Sequence, residues 1–198
     1  MPPLMLNDRS SMLALLETRR SGRPREMVAP GPSDTELERI LAIAARTPDH
    51  GKLFPWRFVT VAANQRQALA DLLTRALPEH DPAATPAHYA KALEFAHQAP
   101  ALVILVAAPI ANHKIPLWEQ QLSAGAAGMN LLLATHAAGF VGGWITGWAA
   151  YSEIVRAAFC APGERIAGFF FLGSPAHELE ERPRPALATV VRAWTPPA

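Results

Sequence analysis

The sequence predicts a mixed α/β domain of three layers, with helices on both faces of one sheet. Three observations carry that expectation. Ala101 to Ala107 (ALVILVA) is a continuous apolar run, the pattern of a strand covered on both sides. Leu37, Ile40, Leu41 and Ala44 recur at i, i+3, i+4 and i+7, a helical stripe with one apolar face. Strand-like and helix-like stretches of these two kinds alternate along the chain, as they must when helices pack on both faces of a sheet. With 198 residues and no repeat or linker, a single domain spanning 1–198 is the default.

In order along the chain, the first helix starts near Ser10 or Ser11 and runs to about Thr18, with Met12, Leu13, Leu15 and Leu16 on its apolar side. Gly22 and Pro24 break it. Ser33-Asp34-Thr35-Glu36 has capping-box spacing and opens the second helix, which Pro48 ends. Trp56 to Ala62 (WRFVTVA) reads as a strand, rich in aromatic and β-branched residues. Asn64 is placed to cap a helix carrying Ala68, Leu69, Leu72 and Leu73, and Thr85-Pro86 starts another that ends before Pro100. Ala101 to Ala107 follows as a strand, and Pro109 to Pro116 as a loop. Leu117 to Ala138 is the longest helix, with Gly139 suited to its left-handed cap. Gly143 to Trp148 and Ala167 to Leu172 are further strands, separated by a helix over Glu153 to Phe159. From about residue 174 the chain becomes a Pro-rich, Arg-rich tail with one short apolar segment, Leu187 to Val191.

Composition narrows the function classes. Half the residues are hydrophobic and 18% are charged, which suits a folded globular protein. A net charge of +1 argues against a general nucleic-acid binder, which needs many phosphate contacts. Cys160 is the only cysteine, so an internal disulfide, a CxxC redox pair and a zinc ribbon are excluded; a cytoplasmic setting fits. Beside Phe159 and Ala161, Cys160 is expected to be a buried structural thiol. The first residues lack a signal-peptide pattern. Leu122 to Phe140 is the most hydrophobic long segment, but Gly125, Gly128, Asn130, Thr135 and His136 interrupt it, which favours a buried helix over a membrane span. The seven histidines have no HExxH or similar spacing, so no metal site is expected. No GxGxxG, phosphate loop or nucleophile elbow occurs.

Three segments carry chemistry. Arg19-Arg20-Ser21-Gly22-Arg23 sets three guanidiniums and a hydroxyl at a helix exit; Arg grips a phosphate with two parallel hydrogen bonds, which Lys cannot do. The same run also reads as solvated surface. Arg46 is expected in the last turn of the second helix and His50 in the following loop; a dipole-complementing arginine and a ligand-free loop histidine are the alternatives. Gly139 to Gly147 either serves a ligand or makes a tight helix-to-strand connection.

Taken together these segments resemble the flavin-dependent nitroreductase family, in its small single-domain branch. Arg19-Arg20-Ser21 resembles that family's N-terminal FMN-binding triplet. Pro48-Asp49-His50 followed by Pro55-Trp56-Arg57-Phe58 resembles its second segment. Asn112-His113-Lys114-Ile115-Pro116, then Trp118-Glu119 and Ser123-Ala124-Gly125, resemble the start of its central helix, and Gly139 to Gly147 resembles its turn against the flavin. The matches run in order from residue 10 to about 175.

The resemblance implies a nitroreductase-like α/β (α+β) three-layer fold: a central, mostly antiparallel sheet flanked by helices, a long central helix, and an entwined homodimer. It implies FMN as cofactor and NAD(P)H as co-substrate. Arg19, Arg20, Ser21 and Arg23 would serve the phosphate, with Arg20 also near the ring's pyrimidine edge. Trp144, Ile145, Thr146 and Gly147 would lie beside the ring, and Arg46 and His50 would reach the flavin of the other subunit. The flavin would carry the redox chemistry and the protein would bind, orient and tune it. Hydride would pass from NAD(P)H to flavin and then to an electron-poor small molecule, nitroaromatic or quinone-like, by a ping-pong route with no catalytic side chain assigned. Two alternatives stay open: another flavin-dependent reaction, such as a dehydrogenase or a dehalogenase, and a flavin-binding dimer without turnover. Arg182, Arg184 and Arg192 of the tail do not fall in an alignable pattern.

Overall fold

The computed structural model describes residues 5–197. Twelve regular elements follow one another: α1 (Met12–Thr18), β1 (Met27–Val28), α2 (Asp34–Ala44), β2 (Trp56–Thr60), α3 (Arg66–His80), α4 (Pro86–His97), β3 (Ala101–Ala107), α5 (Leu117–Ala137), β4 (Val141–Ile145), α6 (Glu153–Phe159), β5 (Arg165–Pro175) and α7 (Leu187–Val190). All pairings are antiparallel. β5 runs through the centre, bonded to β3 and β4 along its length and to β1 at its end, while β2 pairs with β3.

The apolar run of β3 divides by the two-residue period of a strand. Leu102, Ile104 and Val106 join Phe169 and Phe171 of β5 in a core shared with Leu69, Leu73, Ala92, Ala96 and Val155 of α3, α4 and α6. Val103 and Leu105 join Phe170 and Leu172 in a second core with Ile40 and Ala44 of α2 and with Ala127 and Leu131 of α5. The three-layer architecture is therefore written in the alternation of a seven-residue strand. Phe95 of α4 meets both Phe169 and Phe171 edge-on, with ring centroids 5.2 Å apart in each case.

Three helix ends obey the signals in the sequence. Ser11 Oγ caps α1 by accepting the Ala14 N–H at 3.0 Å. The Ser33–Glu36 capping box forms in both directions, and those bonds hold the Glu36 carboxyl below its usual range. Gly139 follows α5 at φ +98°, where a Cβ would be strained.

Several boundaries differ from expectation for identifiable reasons. Asn64 does not cap α3. It sits inside a short 3-10 turn, Ala63–Gln65, in which Gln65 Oε1 accepts the Ala62 N–H, and this shortens β2 to Thr60. β4 begins at Val141 rather than Gly143 and stops at Ile145, because Gly147 at φ +77° turns the chain and Trp148 opens a 3-10 turn. β5 extends to Pro175, past the expected Leu172, since β1, too short to announce itself in sequence, pairs with its end. Cys160 is half-buried rather than enclosed; burial still pushes its thiol upward.

One buried charge ties the layers together. Arg66 is 5% exposed, and its guanidinium donates to the carbonyls of Val61, Ala96 and Gln98 at 2.9–3.2 Å and, more weakly, to that of Pro100. It thereby joins the start of α3 to the end of α4 and the approach to β3. Among the described residues no helix is long and apolar enough to cross a membrane. Nor does any group of three or more His, Cys, Asp or Glu side chains stand ready to hold a metal ion.

Candidate functional site

The arginine loop is fastened from two sides. Asn7 donates its Nδ2–H to the Arg20 carbonyl at 3.0 Å and accepts the Arg20 N–H on Oδ1 at 2.8 Å, while its own N–H bonds the Thr18 carbonyl. On the other side the Gly22 N–H donates to the Gly142 carbonyl of β4 at 3.2 Å. A Cβ on Gly143 would come within 2.8 Å of the Gly22 oxygen, so the loop and the strand meet this closely only because that residue lacks a side chain. Within the loop Arg19 donates to Ser21 Oγ at 3.1 Å, joining the expected guanidinium and hydroxyl on one side. A recess of about 250 Å³ opens beside Arg20, Ser21 and Gly22.

The tail folds back over this loop, which the sequence did not disclose. Arg20 Nε donates to the Glu180 carbonyl at 2.6 Å, and Arg184 donates to the Arg19 carbonyl at 3.1 Å while pairing with Glu181 at 2.9 Å. Burial first, then the nearby Arg184 and Arg20, pull the Arg19 guanidinium below its ordinary value; Glu181 opposes them and Arg182 adds to the depression. Arg184 is answered by Glu181, whereas Arg19 makes no ion pair among the described residues and is the guanidinium left to meet an anion. Arg23 has a different fate. It pairs with Glu26 at 3.1 Å and lies 3.8 Å from Glu180, so its charge is answered within the chain.

The Gly139 to Gly147 segment ends just beyond β4. Ile145, Thr146 and Gly147 line a cavity of about 540 Å³ together with Arg25, His88 and Lys91. Its wall is apolar and aromatic, with Leu73, Phe95 and a Trp148 ring stacked on His80 at 5.5 Å between centroids. His88 pairs with Asp81 at 3.0 Å; Lys91 makes no ion pair among the described residues. A shaped, largely apolar slot with charged groups of both signs, Arg25 and Lys91 beside Asp81 and Glu94, suits a flat, polar heterocycle. Trp144 does not line this cavity. Its ring lies against Phe170 and above Gly128 of α5 and Gly168 of β5, with its Nε1–H donated to the Ala167 carbonyl at 3.0 Å.

The Arg46–His50 segment is positioned with equal care but elsewhere. Asn130 of α5 donates to Thr47 Oγ1 at 2.7 Å, Ser123 donates to the Pro48 carbonyl at 2.6 Å, and His50 Nδ1 meets Glu119 Oε2 at 2.7 Å. Arg46 lies beyond α2, which ends at Ala44 with Ala45 as its cap, not in its last turn as expected; Arg46 and His50 are both exposed, and neither lines the cavities beside the arginine loop or the end of β4. A single chain thus brings together two of the three expected segments and holds the third in a fixed, outward-facing loop.

The nitroreductase family model matches residues 16–174. A relative from Escherichia coli K12, named "Putative NAD(P)H nitroreductase YdjA", is 36% identical over 167 residues, covering 82% of this chain and 87% of that protein. Among solved structures, the nitroreductase-like family protein of Bacillus cereus superposes with a TM-score of 0.78 at 19% identity, covering 93% of this chain and 96% of that one. A mutant of the FMN and NADPH-dependent nitroreductase NfnB, from sphigopyxis sp. strain HMH, superposes with a TM-score of 0.73 at 19% identity, covering 92% and 98%. These two structural likenesses extend over the whole three-layer fold.

Proposed function

This chain belongs to the nitroreductase family, and from that premise we propose that it is an NAD(P)H-dependent FMN oxidoreductase that works in the cytoplasm as a homodimer. The observation that carries the reading is the Arg19 guanidinium, held against Ser21 Oγ without an ion pair among the described residues and pulled below its ordinary value by burial first and then by Arg184 and Arg20. A dianionic phosphate is the ligand such a group fits, and Ser21 Oγ adds a hydroxyl. Arg19, Ser21, Arg182 and Arg184 would hold the phosphate, with Arg20 keeping the loop in shape through its bonds to the Glu180 and Ser21 carbonyls.

Ile145, Thr146 and Gly147 would lie against the isoalloxazine ring, and Gly147, at φ +77°, shapes the strand end there. Lys91, which makes no ion pair among the described residues, would favour an anionic, reduced ring there, while Arg25 lies 3.8 Å from Glu26 and Asp81 and Glu94 also line the cavity. When bound, FMN would supply the redox chemistry, accepting hydride from NAD(P)H and passing electrons to an electron-poor nitroaromatic or quinone-like acceptor in ping-pong fashion. The names of the Escherichia coli relative and of NfnB support the donor and the cofactor respectively.

The dimer rests on surface that one chain leaves uncovered. Met12, Leu13 and Leu16 of α1, Leu117, Trp118 and Leu122 of α5, and Leu187, Val191 and Trp194 of the tail are all more than half exposed. So much apolar surface belongs against a partner. Arg46 and His50, fixed to α5 and facing outward, would then meet the flavin of the second subunit.

The test is FMN affinity. Replacing Arg19 and Ser21 together with Ala removes a charge-assisted donor and a hydroxyl, and the dissociation constant measured by flavin fluorescence quenching rises by about 100-fold or more. An unchanged constant in the folded double variant would remove the phosphate site from this loop.

A further inference from the structure

The loop between α2 and β2 is fastened on both sides of His50. Glu119, Ser123 and Asn130 follow one another at i, i+4 and i+11, which sets them on one face of α5. Asn130 donates to Thr47 Oγ1, which itself donates to the Ala44 carbonyl at 2.9 Å, and Ser123 donates to the Pro48 carbonyl. Beyond His50, Gly51 at φ +81° passes so near the buried Ile115 that a Cβ there would collide with its Cδ1. Asp49 Oδ2 accepts the Phe54 N–H at 2.8 Å and closes the loop on itself. The His50 ring is thus carried on backbone fixed before and after it.

The side chains of His50 and Glu119 are 69% and 44% exposed, so their contact at 2.7 Å adds little to stability. Its consequence is chemical. An ionised carboxylate accepts and cannot donate, so the imidazole carries a proton on Nδ1. Which nitrogen of a histidine is protonated follows from the bond the other one makes, and here Nε2 makes none among the described residues. In the neutral ring Nε2 is therefore a free acceptor. No second acidic side chain pairs with the ring among the described residues, Asp49 being turned to the Phe54 N–H. Glu119 alone sets the tautomer.

We propose that Glu119 is a positioning residue for His50, holding the imidazole proton on Nδ1 so that Nε2 accepts a hydrogen bond from the flavin of the second subunit. The donors FMN offers to such an acceptor are its ribityl hydroxyls and the ring N3–H. The role presupposes that the chain binds FMN between two subunits. Glu119 also stands in the first turn of α5, where a carboxylate complements the helix dipole; that contribution does not pass through His50.

FMN dissociation constants from fluorescence quenching, for the wild-type chain, His50→Ala, Glu119→Ala and the double variant, separate the two contributions. Both side chains are exposed, so the variants keep the core. Each single substitution should weaken FMN binding by about fivefold to tenfold, and the double variant should bind no more weakly than His50→Ala alone. In a long-range ¹H–¹⁵N spectrum of the flavin-free protein at alkaline pH, the His50 ring should carry its proton on Nδ1, a preference lost in Glu119→Ala. A constant that Glu119→Ala leaves unchanged overturns the positioning role. So does a double variant in which the two losses add, or a wild-type ring protonated on Nε2. FMN binding that His50→Ala leaves unchanged removes the contact across the dimer while the arginine loop keeps its phosphate. A wild-type chain that takes up no FMN overturns the flavin reading itself, and the positioning role with it.

Discussion

Acid should destabilise this protein through one buried imidazole. His136 has no exposed surface, and burial first, then the charge of Arg19, lower its pKa from the ordinary 6.5 to about 4. The folded state therefore binds fewer protons than the unfolded state between pH 6.5 and about 4. Its contribution is complete above pH 6.5, falls as pH drops through that window, and is gone below about pH 4. The gap between 6.5 and about 4, at 1.36 kcal/mol per pH unit, comes to about 3 kcal/mol. That is a large share of the 5–15 kcal/mol typical of a domain. The perturbation is His136→Gln, which keeps an acceptor for Gly142 and cannot titrate. Urea denaturation of both proteins at steps from pH 7.5 to 4 reports the effect, because carboxylate contributions are common to the two. The wild-type protein should lose about 3 kcal/mol more than the variant across the window. Parallel stability curves would refute the assignment of a neutral, buried imidazole.

Two substitutions probe the packing that positions the site. Arg66→Met removes the guanidinium that satisfies carbonyls of the α3 approach, the α4 end and the β3 approach; leaving them unpaired should cost about 2–4 kcal/mol in urea denaturation, and a neutral result would contradict its role as a tie. Gly128→Ala puts a Cβ within 2.9 Å of Phe170 and 3.0 Å of Trp144, so it should cost about 1–3 kcal/mol by overpacking; a stabilised variant, as helix propensity alone predicts, would show that the Trp144 ring yields.

The layer order was legible because β3 has to serve two cores, and its unbroken apolar run has no other simple reading. The capping box, the α5–Gly139 ending and α6 were equally local, each decided within four or five residues. β1 was not legible, since its two residues acquire strand geometry only from the end of β5. Asn64 failed as a cap because Gln65 competes for the same turn. The site divides in the same way. Arg19 and Ser21 are two residues apart and their contact could be anticipated. Arg184 bonds Arg19 across 165 positions, in a tail whose composition gives no register, and nothing in sequence separates Lys91 from other surface lysines. Trp144 sits beside Ile145 in sequence, and the strand's period turns its side chain to the α5 face, against Phe170 and over Gly128.

The visible absorption spectrum of the freshly purified protein, followed anaerobically through addition of NADPH and then NADH, tests the central claim most directly. The account predicts a yellow protein whose flavin band bleaches on hydride addition, the faster donor marking the preferred nicotinamide. A colourless protein that also fails to take up added FMN would contradict it.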